Sequence, residues 1–312
     1  MLKFIKNWTL PLAMLAGVIA YFVYTGCPWV DPLKPAVRAA VAWLTPFLIF
    51  AQLLLTFCKV EVRDLSPRRW SVWLLLIQLV SFLLLAGLLL AVPVSEPVHI
   101  AVEGMMVCLI CPTATAAAVI TGKLGGSAAS LTTYTLLSNL LAALLVPVVF
   151  PLVEPSDIRF FTAFLRILGK VFPLLLCPFF LAVLLRRFLP PVHRFLVGLK
   201  DLAFYLWAVA LTIVMAQTTR SMVEGDTSLA EELFVASGAL AVCCLQFYYG
   251  KKIGTRYADR ISAGQALGQK NTVLAIWMAC TYLNPVSAIA PGSYVVWQNI
   301  INSYQLWKKR RS

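Results

Sequence analysis

Long apolar segments follow one another along all 312 residues, and only short stretches with charge, proline or glycine separate them. An α-helix needs about 20 apolar residues to cross the hydrocarbon core of a bilayer. The sequence therefore predicts an all-α membrane protein with ten transmembrane helices and no soluble domain. The predicted spans lie near residues 8–26, 36–58, 70–92, 98–122, 127–153, 160–188, 200–220, 229–250, 261–282 and 286–306.

The charged residues are distributed unevenly between the two sides of the predicted membrane. Only 12% of the chain is charged, about half the share found in soluble domains. Most of the 26 lysines and arginines fall on the side of the N-terminus, which the positive-inside rule assigns to the cytoplasm. The net charge of +13 therefore indicates orientation and not nucleic-acid binding. We expect a multi-pass protein of a bacterial inner membrane or a plasma membrane, with both termini cytoplasmic. Six basic residues fall on the opposite side: Lys34, Arg38, Arg159, Arg166, Lys170 and Arg220.

Two of the apolar segments contain stretches that are wrong for a continuous membrane helix. The first stretch reads CPTATAAA over residues 111–118, and its proline removes a backbone donor and clashes with the preceding turn. The second reads GQALGQKNT over residues 264–272. Irregular backbone at membrane depth is tolerated only where it is buried in protein or lines a cavity. Two interrupted segments at corresponding positions indicate the binding site of a transporter.

The ten predicted spans form a single membrane domain of two halves, residues 1–155 and 156–312. With five spans in each half, the second half enters the membrane from the opposite side, so related halves would form an inverted repeat. The interrupted stretches then lie in spans four and nine, the fourth span of each half. We expect these discontinuous helices to cross near the midplane, with their half-helix ends facing one cavity that suits an anionic group.

The breaks define a candidate crossing site for substrate or ion. We expect the first break near Pro112 and the second near Gly268. The predicted crossing residues are Pro112, Thr113, Thr115, Ala117, Ala118, Gly268, Gln269, Lys270, Asn271 and Thr272. Polar residues on neighbouring spans that would line the cavity are Gln78, Thr132 and Thr135.

Lys270 is the most informative single residue because it lies roughly ten residues from either end of its span. An ammonium group at the bilayer centre costs about 2.5–3.5 kcal/mol on insertion scales, so it normally faces a cavity or a partner. Three roles are open: a fixed counter-charge for an anionic substrate, a titratable group for proton coupling, or a substitute for a bound cation.

The sequence gives little indication of a metal site, an enzyme or a cofactor-binding protein. Glu103 is the only acid well inside a span, and it could partner Arg166 or Lys170. His99 and His193 lie far apart, without metal ligands near them in sequence, so no metal site is expected. A membrane enzyme would need a nucleophile, a metal set or a carboxylate pair at one depth, and none is recognisable. No nucleotide-binding loop, cofactor motif or signal for an obligate protein partner is present, and the expected partners are the bilayer and a small organic anion.

Several stretches resemble the bile acid:sodium symporter family. The run CPTATAAAVITGKLGGSAASLTTYTLLSNLLAALLVPVVFPL is similar to the family's spans four and five, and ALGQKNTVLA is similar to its ninth-span motif. Gln78 lies where the family has a third-span glutamine, and the stretch from Pro46 to Val60 is similar to its second span. The resemblance implies a ten-span inverted repeat, with a panel domain of spans 1, 2, 6 and 7 and a core domain of spans 3–5 and 8–10. It also implies alternating access for organic anions such as steroid acids or small carboxylates.

The resemblance fails at the positions where the family binds sodium. Its fourth-span Ser-Asn pair corresponds to Ala117 and Ala118, its ninth-span glutamate to Ala266, and a fifth-span serine to Leu131. The glutamine before the motif's asparagine corresponds to Lys270. We therefore expect a secondary transporter of organic anions that is not coupled to sodium. The alternatives are a sodium-coupled symporter with a remodelled site, and a non-transporting sensor or scaffold on a transporter fold.

Overall fold

The computed structural model describes residues 2–60, 65–155, 158–199, 201–225 and 227–311. Regular structure in these ranges is helical, with no strand. Short 3-10 helices at Pro28–Leu33 and Pro285–Ala288 accompany the α-helices. The α-helices are α1 (Leu2–Gly26), α2 (Lys34–Cys58), α3 (Arg69–Ala91), α4 (Glu96–Ile110), α5 (Ala117–Leu124), α6 (Ala128–Val153), α7 (Phe160–Phe188), α8 (Pro190–Gly198), α9 (Leu202–Glu224), α10 (Leu229–Arg256), α11 (Arg260–Gly268), α12 (Thr272–Tyr282) and α13 (Ile289–Arg311).

Six helices among the described residues are long and apolar enough to cross a membrane, which makes the chain a multi-pass integral membrane protein. They are α3, α6, α7, α9, α10 and the stretch Pro28–Cys58 that contains α2. The all-α class is confirmed, whereas ten spans remain a prediction. The breaks divide predicted spans four and nine into helices that are individually too short to cross a membrane. The apolar part of α1 among the described residues is also too short. The predicted junction of the two halves, at residue 156, lies outside the described residues.

Helix α8 was not predicted from the sequence, because it is too short to span a bilayer. This helix, α8, begins at two consecutive prolines directly after α7. Proline is favoured in a first helical turn, where its missing N–H would have no partner. The sequence prediction placed this stretch in a loop between two spans, so the error concerns local structure and not the order of the spans.

The packing of the helices encloses the two broken segments. Helix α1 lies against α9, and α2 lies against α7 and α9. On the other side, α4 packs against α3, α10 and α13, while α10 packs against α11. Helices α11 and α12 are mostly enclosed, since every residue from Ser262 to Gly268 and from Thr272 to Ala279 is buried. The second break and the start of the first, Cys111 to Thr113, therefore lie inside protein, the environment that irregular backbone at membrane depth requires.

We expect Gly104→Ala to destabilise the protein, because α4 and α13 approach too closely there for a side chain. A Cβ atom at Gly104 would lie 2.5 Å from Ala290 Cβ and 2.8 Å from the Ser287 carbonyl oxygen. Overpacking of this kind costs about 1–3 kcal/mol. The matched control is Gly87→Ala in α3, where nothing lies within 4 Å of the added atom. Thermal unfolding of both variants in detergent measures the difference, and equal midpoints would contradict the close packing.

Candidate functional site

The first break begins where α4 ends, at Ile110. Pro112 has no backbone N–H and restricts the residue before it, so Cys111 takes extended backbone, with φ −54° and ψ 131°. Helix α5 does not begin until Ala117. The last turn of α4 therefore has carbonyl groups without helical N–H partners, and the negative end of the helix dipole faces the break.

The second break separates α11 from α12. Helix α11 ends at Gly268, and Gln269 follows in extended conformation. Asn271 caps α12, because its Oδ1 accepts a hydrogen bond from the Leu274 N–H at 3.3 Å. The absence of a side chain at Gly268 is required by packing, since a Cβ there would lie 2.5 Å from the ring of Phe247.

The two breaks pair with each other through their backbones. Thr113 and Lys270 form an isolated antiparallel bridge. The Ala114 N–H donates to the Gln269 carbonyl, and the Asn271 N–H donates to the Pro112 carbonyl, both at 2.9 Å. Each break thus satisfies polar groups that the other would leave unpaired in a buried environment, where an unpaired group costs about 1–3 kcal/mol.

Lys270 extends its side chain from this bridge towards the end of α4. The residue is only 1% exposed, and its Nζ donates to the Leu109 carbonyl at 3.1 Å. None of the salt bridges within the described ranges supplies a carboxylate to this ammonium. Its charge is therefore balanced chiefly by the negative end of α4, in the geometry that favours a cation at a helix C-terminus.

Neighbouring helices hold both breaks in place through buried amide and phenol groups. Gln298 clamps Lys270, since its Oε1 accepts from the Lys270 N–H at 2.9 Å and its Nε2 donates to the Lys270 carbonyl at 3.3 Å. Gln78 donates to the Ile110 carbonyl at 2.7 Å and accepts from the Tyr134 hydroxyl at 3.0 Å. The Tyr294 hydroxyl donates to the Gly268 carbonyl at 2.8 Å. Sequence reasoning found Gln78 but missed the other three, and Gln298 did not stand out because α13 carries other amide side chains, Asn299 and Asn302, beside it.

The remaining predicted site residues differ in their surroundings. Thr113 donates its hydroxyl to the Ala266 carbonyl across the crossing, at 2.6 Å. Gln269 and Thr272 are buried beside the bridge, while Thr115 and Ala118 are half-buried. The hydroxyls of Thr132 and Thr135 donate to carbonyls of their own helix, at 2.9 and 3.0 Å.

The fold brings together three of the positions that correspond to sodium ligands in the family resemblance. Ala117, Leu131 and Ala266 are all fully buried and belong to one hydrophobic cluster with Trp70 and Tyr134. Their side chains carry no oxygen, so they add no ligand for a hard cation. The cluster occupies the interior of α3, α5, α6 and α11 with apolar contacts.

A cavity of about 1140 Å³ lies between α1, α2, α7, α9 and α12. Its walls are mainly apolar and aromatic, and they carry three basic side chains. No acidic residue of the described chain lines it. Helix α12 contributes Trp277, Cys280 and Thr281, whereas the predicted lining residues Gln78, Thr132 and Thr135 lie outside it. The aromatic and basic residues of the walls are Tyr21, Tyr24, Trp43, Phe47, Phe50, Trp277, Arg38, Lys170 and Arg220.

A model of the sodium bile acid symporter family matches residues 46–225. The chain belongs to this family. Members are membrane transporters and not enzymes, in agreement with the apolar helical fold. Comparison with curated proteins gives no match. The matched range includes the first break and ends before the second, which joins the site through the bridge between Thr113 and Lys270.

We expect Gln298→Ala to destabilise the crossing, because it removes both hydrogen bonds to the Lys270 backbone. An unsatisfied buried donor or acceptor costs about 1–3 kcal/mol. Asn299→Ala is the matched control, since the adjacent Asn299 is half-buried and donates to its own helix at the Val295 carbonyl. Thermal unfolding in detergent should show a larger loss for Gln298→Ala, and equal losses would contradict the role of the clamp.

Proposed function

We propose that this chain is a secondary transporter that moves an organic anion by alternating access without coupling to sodium. The observation that carries the proposal is the position of Lys270. In transporters with broken helices, the C-terminal ends of the half-helices and the backbone carbonyls of the unwound segments coordinate a cation. Here the Lys270 ammonium makes that contact itself, at the Leu109 carbonyl. When protonated, this amine supplies a positive charge where a bound ion would otherwise be needed.

The apolar surroundings support the loss of sodium coupling. Ala117, Leu131 and Ala266 pack together without side-chain oxygens. A sodium ion there would have few ligands and would be repelled by the nearby ammonium of Lys270. Lys270 therefore substitutes for the cation structurally, since it neutralises the end of α4 throughout the transport cycle.

The cavity supports an amphipathic anion as substrate. Ligand pockets combine apolar walls with a few polar groups that fix orientation. In this cavity the polar groups include Arg38, Lys170 and Arg220, of which Arg220 is already paired with Glu224 at 2.7 Å, while the aromatic walls suit a hydrocarbon skeleton. These features favour a steroid acid, and a small carboxylate is the second substrate class. The cavity volume of about 1140 Å³ is sufficient for either.

The proposal includes an architecture of ten spans with both termini cytoplasmic. In this arrangement α1, α2, α7 and α9 form the panel, and the remaining membrane helices form the core with the two breaks. The cavity then lies at the boundary between panel and core, reached from the outer side, where Arg38, Lys170 and Arg220 were expected from the charge distribution. Relative movement of panel and core would expose the crossing to either side in turn, with the bridged breaks moving as one body.

We expect uptake of radiolabelled cholate into proteoliposomes to proceed at the same initial rate in sodium and in potassium buffer at constant pH.

We expect Lys270→Gln to lower that rate about tenfold or more, because a hydrogen bond from a charged group contributes about 1.5–3 kcal/mol. The control is Lys252→Gln, which removes an exposed lysine.

Uptake that requires a sodium gradient would contradict the proposal, as would full activity of Lys270→Gln. If cholate is inactive, the same assay with pyruvate tests the second substrate class. Binding of either anion without uptake or exchange would indicate a sensor instead of a transporter.

We expect Lys170→Gln to weaken binding of the transported anion roughly fivefold, equivalent to about 1 kcal/mol for a partly screened charge. The matched control is Arg166→Gln, one turn earlier on α7, which removes the same charge outside the cavity lining. Ligand-induced shifts of the unfolding midpoint measure both affinities. Equal weakening in the two variants would indicate a long-range electrostatic effect. It would contradict direct contact between Lys170 and the anion.

A further inference from the structure

A second cluster of polar side chains lies away from the crossing, where α4 begins and α6 ends. His99 and Glu103 are four residues apart on α4, so they share one face of the helix. Glu154 follows the last residue of α6 and reaches the same place. One nitrogen and two carboxylate oxygens, one from each residue, all lie within 4.8 Å of one another. The sequence analysis assigned no metal ligands to His99. It overlooked the spacing of His99 and Glu103 on α4, and Glu154 is distant along the chain.

One distance within the cluster equals the spacing of two ligands on one metal ion, and a second is about 0.4 Å longer. His99 Nε2 lies 3.4 Å from Glu103 Oε1 and 3.8 Å from Glu154 Oε2. Ligands at about 2.0–2.1 Å from a tetrahedral zinc ion are about 3.3–3.4 Å apart. Small side-chain adjustments would therefore bring all three atoms to bonding distance of one ion.

The buried groups of the cluster also lack the partners that they need. Glu103 is completely buried, and its Oε1 has no hydrogen-bond partner among the described residues. The same holds for His99 Nε2. No lysine or arginine of the described chain forms a salt bridge with Glu103, so the expected pairing with Arg166 or Lys170 is wrong. A buried carboxylate is costly unless a cation lies beside it, because burial removes its hydration, and the His99 imidazole at 3.4 Å is the nearest group that could carry that charge without a metal ion.

We propose that His99, Glu103 and Glu154 bind a divalent first-row transition metal ion, represented experimentally by zinc. Two carboxylates balance the charge of the ion, and the imidazole nitrogen favours zinc over calcium or magnesium, which prefer oxygen ligands. The other oxygen of Glu103 accepts a hydrogen bond from the Asn284 N–H at 3.3 Å, which orients the carboxylate as outer-shell contacts do in metal sites. A fourth position remains for water.

The bound ion would connect three parts of the chain. It would join the first turns of α4 to the end of α6 and, through Asn284, to the connection after α12. Helices α4 and α12 both carry a break at their other ends. The site is independent of the transported anion, so it can exist whether or not the proposed transport activity is correct.

Equilibrium dialysis of the purified protein against zinc chloride, followed by metal analysis, tests the site. We expect saturable binding of one zinc ion per chain. Glu154→Gln and His99→Gln should each weaken it by about tenfold or more, since loss of even an outer-shell partner costs about 10–100-fold. Glu96→Gln is the matched control, because it removes an exposed carboxylate from the first turn of the same helix.

Glu154→Gln separates the loss of a metal ligand from a loss of folding. The Glu154 side chain is 43% exposed, so its replacement leaves the core unchanged. The unfolding midpoint without zinc should therefore equal that of the wild type. Absence of saturable zinc binding would overturn the proposal. So would binding that persists undiminished in both ligand variants, because the ion would then bind elsewhere on the chain.

Discussion

The pairing of two interrupted backbones is the interaction on which the rest of the structure depends. A break in a buried helix exposes carbonyl and N–H groups that lipid cannot satisfy. Here Thr113 and Lys270 form a bridge, and the hydrogen bonds on either side of it satisfy the groups of both breaks. Each break thus supplies hydrogen-bond partners that the other needs in the protein interior. The buried glutamines and tyrosines around the bridge follow from the same requirement.

Lys270 connects this backbone geometry with the chemistry of the family. Its main chain belongs to the bridge, held by Gln298, and its side chain reaches the last turn of α4. A positive charge at a helix C-terminus is favourable whether an ion or a side chain supplies it. The chain can therefore belong to the sodium bile acid symporter family while Ala117 and Ala266 pack in an apolar cluster. Under the proposed function, this covalently attached charge would take the place of the bound sodium at the crossing.

Sequence reasoning predicted the elements that depend on local chemistry. Pro112 and Gly268 mark the ends of helices, and apolar runs predicted the long helices within a few residues. It could not predict contacts between distant segments, such as Gln298 with Lys270, or Glu154 with His99. A cavity was predicted at the crossing, but the position of the large cavity was not, because its walls are mainly apolar residues without motifs on five helices. Those features depend on how helices pack, which a single sequence specifies only through many weak contacts.

Sodium binding by the purified protein is the most direct test of the central claim, that the Lys270 ammonium substitutes for the ion. Isothermal titration of sodium chloride in choline buffer, matched in ionic strength, measures it without requiring a known substrate. If the ammonium takes the place of the ion, the wild-type protein gives no saturable heat. Saturable binding of one or two sodium ions would contradict it, because a cation would then share the crossing with the buried ammonium.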